Sequence, residues 1–239
     1  MLSKNQIKLI TSLKQKKYRL QHGLFVVEGV KTINELLQSD FELDILYTTE
    51  PFNIDAKKEE LISEDDLKRI SFLTTPNKAL AIFKIPQSKP IDFSELIVAL
   101  DDVRDPGNLG TIIRLCDWFG VKSLVCSQET VDCFNPKVIQ ATMGSITRVN
   151  VSYLDLIEFL KETDVLSYGT FMEGKSVYST KLSNKGILVL GNEANGISKE
   201  IESLISEKLS IPRFGNLQAT ESLNVATATA IFLSEFKRR

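Results

Sequence analysis

The stretch that decides the fold runs from Leu96 to Arg114 and reads LIVALDDVRDPGNLGTIIR. Its first five residues are apolar, which is typical of a fully buried strand, and its last part repeats apolar side chains at helical spacing. Between these parts, the residues from Asp105 to Asn108 form a strong turn signal, and Asn108 is a candidate cap for the next helix. The stretch therefore predicts a strand, a tight turn and a helix near 109–119 that carries Arg114.

Two similar transitions from a strand into a polar loop occur later in the chain. Residues 187–198 read ILVLGNEANGIS, which places Glu193 just after an apolar strand, where open α/β sheets usually bind ligands. Residues 211–215 read IPRFG, and the proline predicts an edge or terminal strand because it cannot donate a ladder hydrogen bond. After a polar loop, Ser222 is expected to cap the last helix.

The order of these patterns predicts two domains. From residue 96 onward, strands alternate with helices, which is typical of a mostly parallel sheet covered on both faces. Residues 1–85 combine a helix over 3–16 with further short strands and helices. A segment with two prolines lies between the two parts, so we expect domains at 1–85 and 95–239 and a linker at 86–94.

Charge is unevenly distributed along the 239 residues. The net charge is −2, but residues 1–27 carry +6 and no acidic side chain, which leaves −8 for the rest. A basic arm on an acidic body is compatible with a surface that contacts phosphates, and the alternative is an ordinary solvated helix.

Several classes of protein are disfavoured by the composition. The three cysteines have no metal-ligand spacing and His22 is the sole histidine, which argues against a zinc or haem site and favours a reducing, cytoplasmic location. No apolar run approaches the ~18 residues of a membrane span.

Together, the three motifs resemble those of the SpoU (TrmH-type) branch of the SPOUT superfamily. The first motif matches through Asn108, Gly110 and Arg114, and the second through Gly191, Glu193 and Gly196. The third matches at these positions: Ile211, Pro212, Gly215, Ser222, Leu223, Asn224 and Val225. The stretches 25–29, 135–137 and 143–145 are similar to members that act on ribosomal RNA. Arg213 and a long loop between Gly215 and Ser222 depart from the family pattern.

The resemblance implies an S-adenosylmethionine-dependent enzyme that methylates a ribose 2′-hydroxyl of RNA. It further implies a homodimer, a C-terminal domain with a trefoil knot, and a small N-terminal α/β domain that binds the substrate. Five residues are expected to bind the cofactor: Leu190, Gly191, Ile211, Gly215 and Leu223. Five are expected to be catalytic: Arg114, Asn108, Glu193, Ser222 and Asn224.

Each catalytic residue has an expected role. A guanidinium is a poor base, so Arg114 is expected to anchor the neighbouring phosphate and stabilise the developing alkoxide, although its transient deprotonation stays open beside a substrate phosphate as the proton acceptor. Asn108 is expected to orient Arg114 or the ribose, and Glu193 to hold a guanidinium. Ser222 and Asn224 are expected to fix the loop and the nucleotide.

RNA is expected to contact the basic arm through Lys14, Lys16, Lys17 and Arg19. Four phosphate contacts would give a slope of about −3 to −4 for log affinity against log salt. Ribosomal RNA is favoured over transfer RNA by this arm and by the stretch 25–29. A non-catalytic RNA-binding assembly factor is the alternative from another class, whereas an NAD-dependent oxidoreductase lacks the G-x-G-x-x-G fingerprint.

Overall fold

The computed structural model describes residues 2–215 and 222–238. Its helices are α1 (Lys4–Ser12), α2 (Lys16–His22), α3 (Val30–Leu37), α4 (Glu64–Ile70), α5 (Pro106–Trp118), α6 (Pro136–Thr142), α7 (Leu156–Lys161), α8 (Lys199–Glu202) and α9 (Val225–Lys237), with a 3-10 turn at Ser145–Thr147. Its strands are β1 (Leu24–Glu28), β2 (Leu43–Thr48), β3 (Glu59–Leu61), β4 (Ala79–Lys84), β5 (Leu96–Leu100), β6 (Ser123–Cys126), β7 (Asn150–Tyr153), β8 (Ser167–Ser176), β9 (Gly186–Leu190) and β10 (Glu207–Ser210).

The chain folds into two compact units. The first consists of Met1–Gln87 together with Asp132–Thr147, and the second of Ser88–Val131 together with Arg148–Arg239. The first unit is therefore discontinuous in sequence.

No helix in the described part of the chain is long and apolar enough to cross a membrane.

The first unit is built on a mixed four-stranded sheet in the order β1-β4-β2-β3. Strand β4 runs antiparallel to both β1 and β2, and β3 pairs parallel to β2. Helix α6, from the distant segment Asp132–Thr147, packs against β1 in this unit. The ring of Phe134 lies 4.7 Å from that of Phe25, which is fully buried. The distant segment is therefore part of the apolar core of the first unit.

A buried ion pair joins the two segments of the first unit. Arg19 is 1% exposed, and its Nε donates to Asp132 Oδ2 at 2.9 Å. Its Nη1 donates to the carbonyl oxygens of Leu13 and Lys14, which lie between α1 and α2. The sequence-based role of Arg19 as an RNA contact is therefore wrong, because its donors are engaged inside the protein.

We expect Asp132→Ala to lower the free energy of unfolding by about 3 kcal/mol, since it leaves a buried guanidinium without its counter-ion. The exposed pair of Lys68 and Asp65 in the same unit provides a matched control. Asp65→Ala should change the free energy of unfolding by less than about 0.5 kcal/mol. Urea denaturation of the full chain measures the free energy of unfolding of both variants. Equal losses would show that the buried ion pair is no more stabilising than the exposed one.

The second unit is a six-stranded sheet in the order β10-β8-β9-β5-β6-β7, and every pairing is parallel. Every residue of β5 and of the neighbouring β9 is buried. Helix α5 buries Leu109, Ile112 and Ile113 and packs against α9. The predicted α/β class with a parallel sheet is confirmed, and the trefoil knot stays a prediction.

Several local predictions need correction. The helix expected over 3–16 ends at Ser12, and a second begins at Lys16. Strand β7 extends to Tyr153, and α7 begins at Leu156 after the Asp155 cap. Strand β3 has no apolar alternation and was not predicted.

The predicted helix caps also need correction. Asp105, rather than Asn108, caps α5, because the Asp105 carboxylate accepts a hydrogen bond from the Asn108 amide at 2.8 Å. Asn224, rather than Ser222, caps α9, accepting from the amides of Ala226 and Thr227. The first correction frees the Asn108 side chain from capping α5. The second gives Asn224, a predicted site residue, the role of capping α9.

Candidate active site

The first two motifs lie at one edge of the parallel sheet. Leu100 and Leu190 are paired at the carboxyl ends of the neighbouring strands β5 and β9. The loops that follow are tied together, because the carboxylate of Asp101 accepts a hydrogen bond from the Ser198 amide at 2.7 Å. Because ligands of open α/β sheets bind outside the carboxyl ends of the strands, this edge is the candidate site.

The loop after β9 is closed on itself. Asn192 and Gly196 exchange two main-chain hydrogen bonds of 2.9 Å, and the Asn192 side chain accepts from two further amides within the loop. A Cβ atom on Gly191 would lie 2.1 Å from the carbonyl carbon of Gly196. Gly191 is therefore required by the close approach of the loop's own backbone.

A chain of side-chain hydrogen bonds connects all three motifs. The Nδ2 of Asn224 donates to Asn108 Oδ1 at 2.8 Å, and the Nδ2 of Asn108 donates to Glu193 Oε1 at 2.9 Å. Asn224 is held by its capping bonds and Asn108 by the first turn of α5. Three residues predicted from separate motifs thus form one polar group, which we call the Asn108–Glu193–Asn224 chain.

Arg114 lies apart from this polar chain. Six residues separate it from Asn108 on the same helix, which corresponds to a rotation of about 120° and a rise of about 9 Å. Its side chain is exposed, and it forms no hydrogen bond or ion pair with any described residue. Asp117, three positions after Arg114 on α5, binds Arg148, with Nη2 2.9 Å from Oδ2. Trp118, one turn after Arg114, is 84% exposed.

The predicted cofactor-binding residues differ in their burial. Leu190 and Gly191 are buried at the end of β9, and Ile211 is half-buried just after β10. Leu223 is 47% exposed beside the Asn224 cap. Gly215 is exposed, and a Cβ atom added to it would meet no atom of the described residues within 4 Å. The long loop predicted after Gly215 lies largely outside the described residues, and Ser222 is exposed at its far end.

A thiol nucleophile is not available on α5. Burial raises the pKa of the Cys116 thiol to about 12, which keeps it protonated at neutral pH. All three cysteines are buried and none forms a disulfide. Among the described residues, no group of three or more potential ligands is arranged to hold a metal ion.

Sequence reasoning missed three residues at this edge: Asp102, Arg104 and Asn192. The Nδ2 of Asn192 donates to the Asp102 carbonyl oxygen at 2.7 Å, which links the first and second motifs. Arg104 Nε donates to Asp102 Oδ1 at 2.7 Å, and this carboxylate raises the pKa of the guanidinium. The polar residues directly after each apolar strand were a usable signal for all three.

The remaining predicted RNA contacts lie in the first unit. Lys14, Lys16 and Lys17 have exposed side chains at the end of α1 and the start of α2. The amine of Lys14 lies 5.9 Å from the centre of the Phe72 ring, and the amine of Lys17 lies 5.2 Å from the centre of the Tyr18 ring. Three of the four predicted cations are therefore positioned on the surface.

Fold and site together define an α/β protein with a candidate ligand site built from three loops at the carboxyl edge of a parallel sheet. Residues 95–234 match the SpoU rRNA Methylase family, and residues 4–81 match an MRM3-like substrate binding domain. The chain belongs to the SpoU rRNA methylase family, which confirms the resemblance read from its motifs.

Individual relatives agree with this assignment. The 23S rRNA (guanosine(2553)-2′-O)-methyltransferase RlmP of Bacillus subtilis is 30% identical over 241 residues, covering 97% of this chain and 96% of that protein. A structure assigned to the TrmH family of RNA methyltransferases, from Porphyromonas gingivalis, superposes with a TM-score of 0.89 at 39% identity, covering 100% of this chain and 99% of that one. The structure of an AdoMet-bound rRNA methyltransferase from Sinorhizobium meliloti superposes with a TM-score of 0.88 at 29% identity, covering 100% of this chain and 97% of that one.

Proposed function

We propose that this protein transfers a methyl group from S-adenosylmethionine to a ribose 2′-hydroxyl of ribosomal RNA. The observation that carries the proposal is the Asn108–Glu193–Asn224 chain, which unites the three family motifs at one ligand-binding edge. The names of the relatives support ribosomal RNA rather than transfer RNA as the substrate.

The residues at this edge fit the cofactor. Leu223 offers partly exposed apolar surface for the adenine ring, and main chain at Gly191 and Ile211 can hydrogen-bond its polar atoms. The loop from Gly191 to Gly196 is closed before any ligand binds, so little ordering is needed on binding. Glu193 provides a negative charge that is compatible with a sulfonium. We propose that Leu190, Gly191, Ile211, Gly215 and Leu223 hold the cofactor mainly through main-chain atoms.

The chemistry requires the protein to orient a weakly acidic hydroxyl and to stabilise its conjugate base. The bound cofactor supplies an electrophilic methyl group together with its own leaving group. Asn224 and Asn108 are fixed donors and acceptors that can orient the ribose. Glu193 has its Oε1 engaged by Asn108, which favours a supporting role rather than proton transfer. We propose that Ser222 assists in holding the nucleotide and that Arg114 stabilises the developing alkoxide.

A homodimer explains the position of Arg114. The exposed face of α5 that carries Arg114 also presents Trp118, a large apolar side chain that a monomer leaves in water. We propose that a second copy of this chain covers this face and that the pockets lie at the interface, with the chain knotted as the family resemblance implies. In such a dimer, Arg114 of the partner subunit completes the site that its own position on α5 does not reach.

The first unit is proposed to bind the RNA substrate through Lys14, Lys16 and Lys17. Triple replacement of these lysines by alanine should reduce the steepness of the salt dependence of RNA binding by roughly 2 to 3, because each lost phosphate contact removes about 0.7 to 0.9 from the slope. Fluorescence anisotropy with a ribosomal RNA transcript at several salt concentrations measures this slope.

The matched control replaces Lys57, Lys68 and Lys84, three exposed lysines elsewhere in the first unit. It removes the same charge and should leave the slope almost unchanged. If both triple variants flatten the slope equally, the arm has no special contact and contributes only net charge.

The protein is proposed to act in the cytoplasm, where buried thiols that form no disulfide and ribosomal substrates are both expected. Calorimetric titration with S-adenosylmethionine, with NAD as the control, tests the cofactor. Mapping of ribose methylation in ribosomal RNA with and without the protein tests the reaction. Saturable binding at one site per chain and one lost methylation site are expected, whereas a folded protein that ignores S-adenosylmethionine would favour an assembly factor.

A further inference from the structure

Arg104 is a second guanidinium at the proposed active site, and the site described so far does not use it. It lies in the loop between β5 and α5, next to the Asp105 cap, and its side chain is 70% exposed. Its Nε binds Asp102, and neither of its two Nη groups has a hydrogen-bond partner among the described residues. The two Nη groups are the part of a guanidinium that grips an anion with two parallel hydrogen bonds.

Asp102, which holds Arg104, is itself fixed in an unusual backbone conformation. Its φ of 56° lies in the left-handed region, which is unfavourable for most residues other than glycine. Its amide donates to Ser127 Oγ at 3.0 Å, and its carbonyl accepts from Asn192. The residue is thus held from two sides by other parts of the second unit.

The ion pair alone does not account for this conformation of Asp102. An exposed ion pair such as that of Arg104 and Asp102 is screened by solvent and contributes little to stability, so it does not offset the cost of the left-handed backbone. Such conformations persist where the surroundings impose them, and they cluster at functional sites. Asp102, fixed in this conformation, holds the guanidinium of Arg104 on a rigid loop.

This loop is continuous with the active site. Asn192, which binds the Asp102 carbonyl, directly precedes Glu193 of the Asn108–Glu193–Asn224 chain. Asp105, next to Arg104, fixes the amide of Asn108. Arg104 is therefore held at the same loop edge as the residues proposed to orient the ribose.

We infer that Arg104 binds a phosphate of the RNA substrate close to the nucleotide that is methylated, and that Asp102 is the positioning residue that aims its guanidinium. The inference rests on the proposed function. A phosphodiester is the matching ligand because its two free oxygens accept the two parallel hydrogen bonds of a guanidinium.

The test uses Arg104→Ala, Arg104→Lys and Asp102→Asn in the full chain, with Lys122→Ala as the control. Lys122 pairs with Glu95 at the amino ends of β5 and β6, so it carries the same charge at the opposite edge of the same sheet. The probe is an unmodified transcript of 23S ribosomal RNA. Anisotropy gives the affinity and its salt slope, steady-state kinetics give kcat and KM, and calorimetry gives the affinity for S-adenosylmethionine.

Arg104→Ala is expected to raise the KM for RNA about tenfold and to lower the steepness of the salt slope by about one. The affinity for S-adenosylmethionine should stay within about twofold. Arg104→Lys should keep the slope and recover part of the affinity, since it retains the charge but not the forked geometry. Asp102→Asn should raise KM less than Arg104→Ala and should keep the slope.

An Arg104→Ala protein with the KM and slope of Lys122→Ala would overturn the inference, as would an equal loss of cofactor binding, which would make Arg104 structural. These outcomes differ from failure of the proposed function, in which the unmodified protein itself neither binds S-adenosylmethionine nor methylates RNA. Because RNA affinity and its slope are measured without turnover, Arg104 is tested in either case.

Discussion

Arg114→Ala is expected to reduce the rate of methyl transfer about a thousandfold, because it removes a group that stabilises developing negative charge. The affinity for S-adenosylmethionine should stay within about twofold of that of the unmodified protein. Arg114 forms no hydrogen bond or ion pair with a described residue, so its removal should not disturb the fold. Single-turnover methylation of a ribosomal RNA transcript measures the rate, and calorimetry measures the cofactor affinity.

Arg148→Ala is the control for this variant, because it removes another exposed arginine whose partner, Asp117, lies on the same helix as Arg114. It should retain most of the activity. Loss of cofactor binding together with activity in Arg114→Ala would make this residue structural and would remove it from the catalytic group.

Mixed dimers show which subunit each Arg114 serves. Arg114→Ala and Asn108→Ala should each be inactive alone. If Arg114 acts in the site of the partner subunit, random mixing forms one intact site in half of the dimers and restores about a quarter of the activity. If it acts within its own chain, no mixture recovers activity.

Gly191→Ala is expected to lower the affinity for S-adenosylmethionine by about a hundredfold or more. The added methyl group would lie 2.1 Å from one backbone atom and 2.2 Å from another, and backbone cannot move aside as the end of a flexible side chain can. The loop from Gly191 to Gly196 would have to open, which would also displace Glu193. Calorimetric titration with the cofactor measures the loss.

Gly215→Ala provides the contrast within the same group of proposed cofactor residues. Its added methyl group meets no described atom within 4 Å, so the affinity should change by less than about threefold. If Gly215→Ala were as damaging as Gly191→Ala, bound cofactor itself would have to occupy the open space beside Gly215. If neither had an effect, the loop after β9 would not form the pocket.

The sequence predicted the part of the second unit that carries the candidate site well, because β5 and β9 are short, apolar and followed at once by turn residues. That pattern placed Asn108 and Glu193 after neighbouring strands, and the motif resemblance added Asn224. What it could not provide was the side-chain pairing. Asp105 and Asn108 are both good caps, and only their geometry shows that Asp105 caps α5 and frees Asn108 for the polar chain.

The basic arm shows a different limit of sequence reasoning. Lys14, Lys16, Lys17 and Arg19 are one run of positive charge, and nothing local distinguishes the last from the others. Its partner, Asp132, is 113 residues away and becomes visible only in three dimensions. Charge patterns therefore locate a surface, but they do not tell which member of the run is turned inward.

The split composition of the first unit bears on how the protein is made. Synthesis proceeds from the amino terminus, and domains generally fold as they emerge. Here the first 87 residues leave the ribosome without Asp132 and Phe134, so Arg19 has no counter-ion and Phe25 lacks one of its ring contacts until residue 147 has followed. The nascent amino-terminal half must wait, incomplete, while the central strands of the second unit are being translated.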